Sequence, residues 1–397
     1  MKLTLSLTHR CNLACRYCYA GRSSRPDMSL DTARRSIDTA LSMVPEGKRL
    51  ELGLFGGEPL LRFDLVQAVT DYAIERADAA RVPLRIGLTT NGTLISATML
   101  DFIDARGISL CFSLDGPQHV HDRSRRLPNG QGSFGEVLRG LNQALERLGR
   151  VDVNAVFGPP TIQELPQSLA FIMGLGVRTI HFSPDITAAW TAESYSRCAE
   201  VFMATADYYI DCYRRGIELA VNLFDSKAVL FIKGGYAVSD RCAMGDGEWA
   251  VAPSGNLYPC ERFIGEDDNP NFSLGNIHTG FDSARRCALR ARRGNHRVAC
   301  LSCRERQYCM GWCGCTNYFL SGRSDMPAPV LCALEQATIN AARQVFGSLV
   351  SENNDCYVDH LFNYMNADSH RLGGNRHRAP LADPEGAREQ GVGRSLR

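Results

Sequence analysis

The stretch Thr8-His9-Arg10-Cys11-Asn12-Leu13-Ala14-Cys15-Arg16-Tyr17-Cys18-Tyr19 decides how the rest of the chain is read. It follows Met1-Lys2-Leu3-Thr4-Leu5-Ser6-Leu7-Thr8, whose apolar and polar residues alternate as in a strand. Three thiolates spaced four and three apart can converge on one side of an iron–sulfur cube and leave its fourth iron without a protein ligand. An iron with a vacant position can hold a substrate or cofactor, whereas a closed one only passes electrons. The same distinction separates catalytic from structural metal sites in general. The competing reading is part of a zinc knuckle, which needs a fourth ligand nearby, with His9 as the candidate.

Outward from that loop, helix-period and strand-period segments alternate. A helix is predicted over 29–44, with Ser29 as N-cap and Pro45 as stop. A strand over 51–55 follows, then helix 63–80, strand 84–88, helix 97–106 and strand 108–114. Helix 134–148, strand 151–156, helix 163–175 and strand 179–182 continue the series. Such strand-then-helix units imply parallel strands joined by right-handed crossovers. The expected fold class is α/β, a partial (β/α)6 TIM-like barrel rather than the closed eight-stranded form, because six strands precede a cysteine-rich region.

In barrels of this kind the chemistry lies at the carboxyl ends of the strands. Strand one leads into the cysteine loop, strand two into Gly56-Gly57-Glu58-Pro59, strand three into Thr89-Thr90-Asn91-Gly92, and strand four into Ser113-Leu114-Asp115-Gly116. Strand five contains Asn154, and strand six ends in Ser183-Pro184-Asp185. Taken singly, Asn-Gly and Asp-Gly are ordinary turn chemistry. Their placement on one rim with the cysteines points to a site.

The Cx3Cx2C spacing, with Tyr17 before the third cysteine, resembles the radical S-adenosylmethionine (SAM) superfamily. The resemblance implies that Cys11, Cys15 and Cys18 hold a [4Fe–4S] cluster whose open iron chelates the amino and carboxylate groups of SAM. It also implies that an electron from the cluster yields a 5′-deoxyadenosyl radical, which takes hydrogen from the substrate. Gly56-Gly57-Glu58-Pro59 resembles the GGEP motif of that family, making Gly56 and Gly57 candidates for seating the methionine amino group and Glu58 a candidate for holding this loop or that amino group. Ser113 looks like the serine that contacts the ribose, and Asn91 and Thr89 are further candidates. The run from Asp115-Gly116-Pro117 through His121-Asp122 to Arg125, then Gly130-Gln131-Gly132-Ser133-Phe134, resembles the DGPxxxHDxxR…GxGSF stretch of anaerobic sulfatase-maturing enzymes and radical SAM peptide maturases. Arg125 is thereby a candidate partner for the SAM carboxylate, through bidentate pairing.

A second pattern begins at Cys242 and passes through Gly255-Asn256-Leu257-Tyr258-Pro259-Cys260, Cys300-x2-Cys303-x5-Cys309-x3-Cys313 and Cys332. Such paired spacings demand metal, and iron–sulfur clusters or zinc ribbons both meet the demand. Order and spacing resemble the SPASM domain, an extension that carries two auxiliary [4Fe–4S] clusters. The resemblance implies that Cys300, Cys303, Cys309 and Cys332 ligate the outer cluster, and Cys242, Cys260 and Cys313 the inner one. No cysteine lies between Cys242 and Cys260, so Cys315, Asp246, Glu248 or the substrate's own thiol is left for the fourth inner place. Glu261 stands where sulfatase-maturing relatives carry an Asp resembling a general base, and is the candidate catalytic residue. One added methylene alters that geometry.

The expected division is 1–220, a barrel with a bridging helix over 201–220; 221–350, the SPASM domain, closed by a helix over 332–350; and 351–397, an extension that is disordered from about 368. Cys198 and Cys212 have no partner at ligand spacing and read as small buried hydrophobes. Arg285, Arg286, Arg290, Arg292, Arg293 and Arg297, with no acid from Ser283 to Ala299, read as a solvated helix face or as a grip on an acidic leader peptide. A barrel that starts at the third residue leaves no room ahead of it for a peptide-recognition domain.

Lys+Arg 44 against Asp+Glu 43 gives no global field favouring nucleic acid or a membrane surface. No apolar run approaches the ~20 residues of a membrane span. The 16 cysteines cluster at ligand spacings rather than spreading as a disulfide scaffold, so a reducing cytoplasm is expected. The expected function is a radical SAM maturase that modifies a side chain of a ribosomally made peptide or protein. The resemblance implies SAM, one reducing [4Fe–4S] cluster, two auxiliary clusters and an electron donor such as flavodoxin or ferredoxin. A formylglycine-forming sulfatase maturase and a small-molecule epimerase or dehydrogenase are the alternative enzymes. A zinc-ribbon binding module is the alternative outside enzymes.

Overall fold

The computed structural model describes residues 1–21, 26–237, 240–242, 244–292 and 298–369. The expected tail beyond 369, Arg293 and Arg297 lie outside the described residues. Six parallel strands form in chain order: β1 (Lys2–Ser6), β2 (Leu50–Phe55), β3 (Leu84–Thr90), β4 (Ser109–Ser113), β5 (Asp152–Phe157) and β6 (Thr179–Pro184). Helices cover the sheet, so Leu3, Leu5, Leu52, Leu54, Leu88, Phe112 and Val153 are all buried, as parallel sheets require. The expected helices are present. Ser29 caps Leu30–Met43 by accepting from Thr32 N–H at 3.0 Å, and Phe63–Ala80 and Phe134–Leu148 have the expected bounds.

The sheet has more strands than the six read from the sequence. Ala220–Val221 (β7) adds parallel to β6. Glu248–Val251 (β8) adds parallel to β1, and Leu257–Tyr258 (β9) returns antiparallel to β8. The order is therefore β7-β6-β5-β4-β3-β2-β1-β8-β9. The sheet runs across the division expected at residue 220, so the segment that carries Cys260 hangs directly from the barrel. Both β7 and β9 are two residues long, too short to show a period.

The bridging helix spans Cys198–Arg214 rather than 201–220. Gly216, at φ +69, turns the chain out of the helix and into β7. Cys198 and Cys212 are buried in it, 5% and 0% exposed. Pro329–Ser351, with proline in its first turn, packs along Cys198–Arg214 and along Asn222–Lys233. The final helix, Asp355–Ser369, is pinned by His360, whose Nε2 lies 3.2 Å from the buried Asp225 carboxylate. No helix among the described residues is long and apolar enough to cross a membrane.

Candidate functional site

The cysteine loop leaves β1 and is held by backbone on both sides. Gly57 N–H donates to Thr8 C=O at 2.7 Å and Glu58 N–H to Arg10 C=O at 2.9 Å. Opposite, Ala14 N–H donates to Arg126 C=O and Arg16 N–H to Ser124 C=O. A Cβ on Gly56, at φ +142, would come 2.5 Å from the Thr8 carbonyl oxygen, and one on Gly57 would come 2.3 Å from that of Arg10. These glycines therefore permit a close approach to the cysteine loop itself.

Glu58 is fully buried. Its Oε1 accepts from Leu60 N–H at 3.0 Å and Thr90 hydroxyl at 2.8 Å, and its Oε2 from Asn91 N–H at 2.7 Å. Burial pushes the acid up to about 7 against those three donors. Its side chain thus bolts the end of β2 to the end of β3. Asn91 continues the chain of contacts: Nδ2 donates to Asn12 Oδ1 at 2.8 Å, and Oδ1 accepts from Thr93 N–H and hydroxyl. Asn12 Nδ2 in turn donates to Thr93 at 2.7 Å. Thr90 stood in the quoted rim stretch without a role of its own, and Thr93, just beyond that stretch, was missed.

The far side of the loop rests on a buried network from the Asp115 to Phe134 stretch. Asp115, 3% exposed, accepts from Tyr17 hydroxyl at 2.5 Å, Arg125 Nε at 3.1 Å and Val156 N–H at 2.9 Å. The Arg125 guanidinium, itself 7% exposed, stacks 5.1 Å from the Tyr17 ring centre and acts electrostatically on the Cys15 thiol. Burial lowers His121 to about 4, so the ring is neutral. It accepts from Asp115 N–H and pairs with Ser133 hydroxyl at 3.0 Å, and that hydroxyl donates to the Arg125 carbonyl. Ser113 ends β4 beside Asn154 of β5.

Burial pushes the Cys11 thiol up to about 12 and raises Cys15, with Arg125 pulling Cys15 the other way. Metal binding has to displace those protons. Among the described residues, the one group of three ligand atoms within 4.8 Å of one another is Glu248, Cys260 and Glu261. Cys11, Cys15 and Cys18 do not all lie that close, whereas a single tetrahedral zinc with Zn–S of about 2.3 Å would draw its thiolates to ~3.8 Å. His9 faces Asp267 at 4.0 Å, fully buried, which withdraws it from the zinc-knuckle reading.

The second cysteine region sits against the first. The chain leaving the cysteine loop touches the turn after Cys260: a Cβ on Gly21 would meet the Gly265 carbonyl at 2.2 Å. Burial raises the hydroxyl of Tyr19, whose ring is stacked on Phe55, with Glu261, Arg262, Cys260 and Cys18 all near enough to act on it. Cys313 and Cys315 Sγ lie 3.5 Å apart, and Cys260 and Cys242 are both within electrostatic reach of Cys315. Glu248 bridges Lys2 Nζ at 2.7 Å and Cys242 Sγ at 3.4 Å. Glu261 lies 3.4 Å from Cys260 Sγ. Burial raises the Glu261 acid, but Lys2 and Arg262 outweigh that and hold it below the usual range. It is therefore an ionised but weak base. Asp246 pairs with Arg286 at 3.6 Å.

In the outer set, Cys300 and Cys303 share one turn, and Cys309 lies within electrostatic reach of Cys332. A buried ion pair supports that loop, which sequence spacing did not reveal. Lys227 Nζ, on Asn222–Lys233, contacts Glu335 Oε2 and Tyr308 C=O, both at 2.8 Å, and the same Glu335 oxygen accepts from Met310 N–H. Arg285 binds the Pro270 and Ser273 carbonyls, and Arg286 binds the Gly245 carbonyl and lies over Phe281. Both arginines staple their own domain.

Residues 5–172 match the radical SAM superfamily, and the chain carries a radical SAM domain, which implies SAM and a [4Fe–4S] cluster. An uncharacterised protein of Methanocaldococcus jannaschii is 29% identical over 180 residues, 45% of this chain and 61% of that protein's length. A serine-type anaerobic sulfatase-maturating enzyme of Klebsiella aerogenes is 26% identical over 330 residues, 76% of each chain. The mycofactocin maturase MftC of Mycobacterium ulcerans is 27% identical over 337 residues, 82% of this chain and 86% of that protein. Among solved structures, anSMEcpe with bound AdoMet and Cp18Cys peptide superposes with a TM-score of 0.73 at 16% identity, covering 88% of this chain and 99% of that one. That likeness is one of fold.

Proposed function

We propose that this chain modifies a side chain of a ribosomally made peptide or protein, using SAM and three iron–sulfur clusters. The observation that carries the reading is the juxtaposition of two cysteine-lined sites across Tyr19 and Gly21, one on the barrel rim and one hung from β8 and β9. A relative named as a maturase that spans 82% of the chain, and a peptide-bound structure of the same fold, support it.

Cys11, Cys15 and Cys18 would hold the reducing cluster, which supplies the electron for SAM cleavage when bound. Gly56, Gly57 and Ser113 line the rim where SAM would sit. Glu58, Asn91 and Arg125 act through the cysteine loop: Glu58 ties β2 to β3, Asn91 holds Asn12, and Arg125 braces Tyr17 and Cys15. Cys242, Cys260 and Cys313 would hold the inner auxiliary cluster and Cys300, Cys303, Cys309 and Cys332 the outer, giving the electron released from the substrate a path away. Glu261, held ionised against Cys260, orients that site and can accept a proton from the substrate.

The reading is tested by coexpression with short peptides encoded beside the gene, followed by mass measurement. A loss of two hydrogens that requires Cys11, Cys15 and Cys18 is the expected result; unmodified peptide with active SAM cleavage counts against it. A formylglycine-forming activity is the second reading, favoured by the sulfatase-maturating relative. Serine- or cysteine-bearing sulfatase peptides assayed alongside separate the two.

A further inference from the structure

The inner site was left with three cysteines by sequence spacing, and its fourth place open to a carboxylate or to the substrate's own thiol. The structure narrows this. Cys315 is the second residue of the helix Gly314–Ser321, whose N-cap is Cys313, and it is 3% exposed. Its Sγ is 3.5 Å from Cys313 Sγ, and Cys260 is a near neighbour. Arg262 Nη1 reaches Cys315 Sγ at 3.8 Å while it donates to Thr316 Oγ1 at 2.8 Å, so a guanidinium is fixed beside that sulfur. A buried thiol facing two other thiols and a cation is placed as a ligand rather than as a packing residue.

The oxygen candidates carry other ties, although Glu248 Oε2 also lies 3.4 Å from Cys242 Sγ. Asp246 pairs with Arg286, and Glu248 is tied to Lys2 at 2.7 Å. Glu261 remains near Cys260, but soft thiolate suits an iron–sulfur site better than carboxylate. Gly314, between the two cysteines, lets Met244 pack against this turn, where a Cβ would come 2.7 Å from Met244 Cε.

We propose that Cys315 is the fourth protein ligand of the inner site, closing a set formed with Cys242, Cys260 and Cys313. This rests on the reading that the set holds an iron–sulfur group. It adds a consequence: a site closed by four cysteines offers no iron to a substrate thiol. The inner cluster then relays electrons, and the modified side chain need not be a cysteine.

The test uses the full chain with Cys11, Cys15 and Cys18 replaced by alanine, reconstituted with iron and sulfide, so that the auxiliary sites alone are filled. Iron content, the electron paramagnetic resonance of the reduced protein, and its response to cyanide and to a small thiol are recorded. The same measurements follow with Cys315→Ala and Cys315→Ser added. The expected parent holds about eight irons and its spectrum ignores both probes. Cys315→Ala makes one cluster respond to cyanide, or lose its iron if the site collapses. Cys315→Ser retains the iron but shifts the signal.

A parent that already binds cyanide, with Cys315→Ala unchanged from it, overturns the assignment. So does a parent whose mass under non-reducing conditions shows a disulfide at Cys315. Removing Cys242, Cys260 and Cys313 together tests the underlying reading separately. If iron content does not fall, that set holds no cluster and both claims fail.

Discussion

Asp115→Asn is the substitution that probes the support of the cysteine loop most sharply. The carboxylate is 3% exposed and accepts from Tyr17, Arg125 and Val156, and the Arg125 guanidinium behind it is 7% exposed. Neutralising it leaves a buried guanidinium without its counter-ion, a loss of about 3–5 kcal/mol. Tyr17→Phe removes one hydrogen bond to a charged acceptor, about 1.5–3 kcal/mol. Replacing both charges, as Asp115→Asn with Arg125→Met, removes the uncompensated ion and restores much of the loss. The coupling between the two sites is then on the order of 2 kcal/mol, within the range for residues in contact. Anaerobic urea unfolding of the wild type, both single variants and the double variant measures it, with iron content recorded for each. Asp115→Asn should be the least stable of the four and hold the least iron at the rim. If the two substitutions simply add, or if Asp115→Asn unfolds with the wild type, the network does not hold the loop.

Gly57→Ala should displace the loop, because the new Cβ meets the Arg10 carbonyl oxygen at 2.3 Å. A cost of about 1–3 kcal/mol and loss of SAM cleavage at near-normal auxiliary iron are expected, read by unfolding and by iron assay. Glu335→Gln should strip Lys227 of its buried counter-ion and weaken the hold on Met310 N–H. It should cost about 3–5 kcal/mol and lower iron at the outer site, with Lys227→Met/Glu335→Leu recovering stability. His360 is raised above 6.5: burial alone would lower it, but Asp225 at 3.2 Å and Glu218 at 3.3 Å outweigh burial. Its contribution is therefore complete below pH 6.5 and lost as pH rises through the folded value. His360→Gln should be less stable than the wild type at pH 6, and the gap should narrow by pH 9 in urea midpoints.

The local signals carried far. Strand and helix periods placed β1 to β6 in order, Ser29 caps the helix it was assigned to, and the cysteine spacing located both cysteine regions. Contacts between distant segments were not legible. Lys2 meets Glu248 and Lys227 meets Glu335 across 246 and 108 residues, and no local period encodes such a meeting. β8 was hidden inside a segment read for its cysteines, and four residues of Glu-Trp-Ala-Val give no pattern. Glu58 was read as holding its loop or the methionine amino group, and its three donors, Leu60, Thr90 and Asn91, engage it in holding the loop. Cys315 was one of four possibilities until the fold set it against Cys313.

The central claim is that the barrel rim holds a cluster with one iron free for SAM. Its most direct measurement is the release of 5′-deoxyadenosine by anaerobically reconstituted, chemically reduced protein, compared with a variant carrying alanine at Cys11, Cys15 and Cys18. The expected result is 5′-deoxyadenosine from the wild type and none from the variant, which retains its auxiliary iron. Equal amounts from both, or none from a wild type that is fully loaded with iron and supplied with its substrate, would contradict the claim.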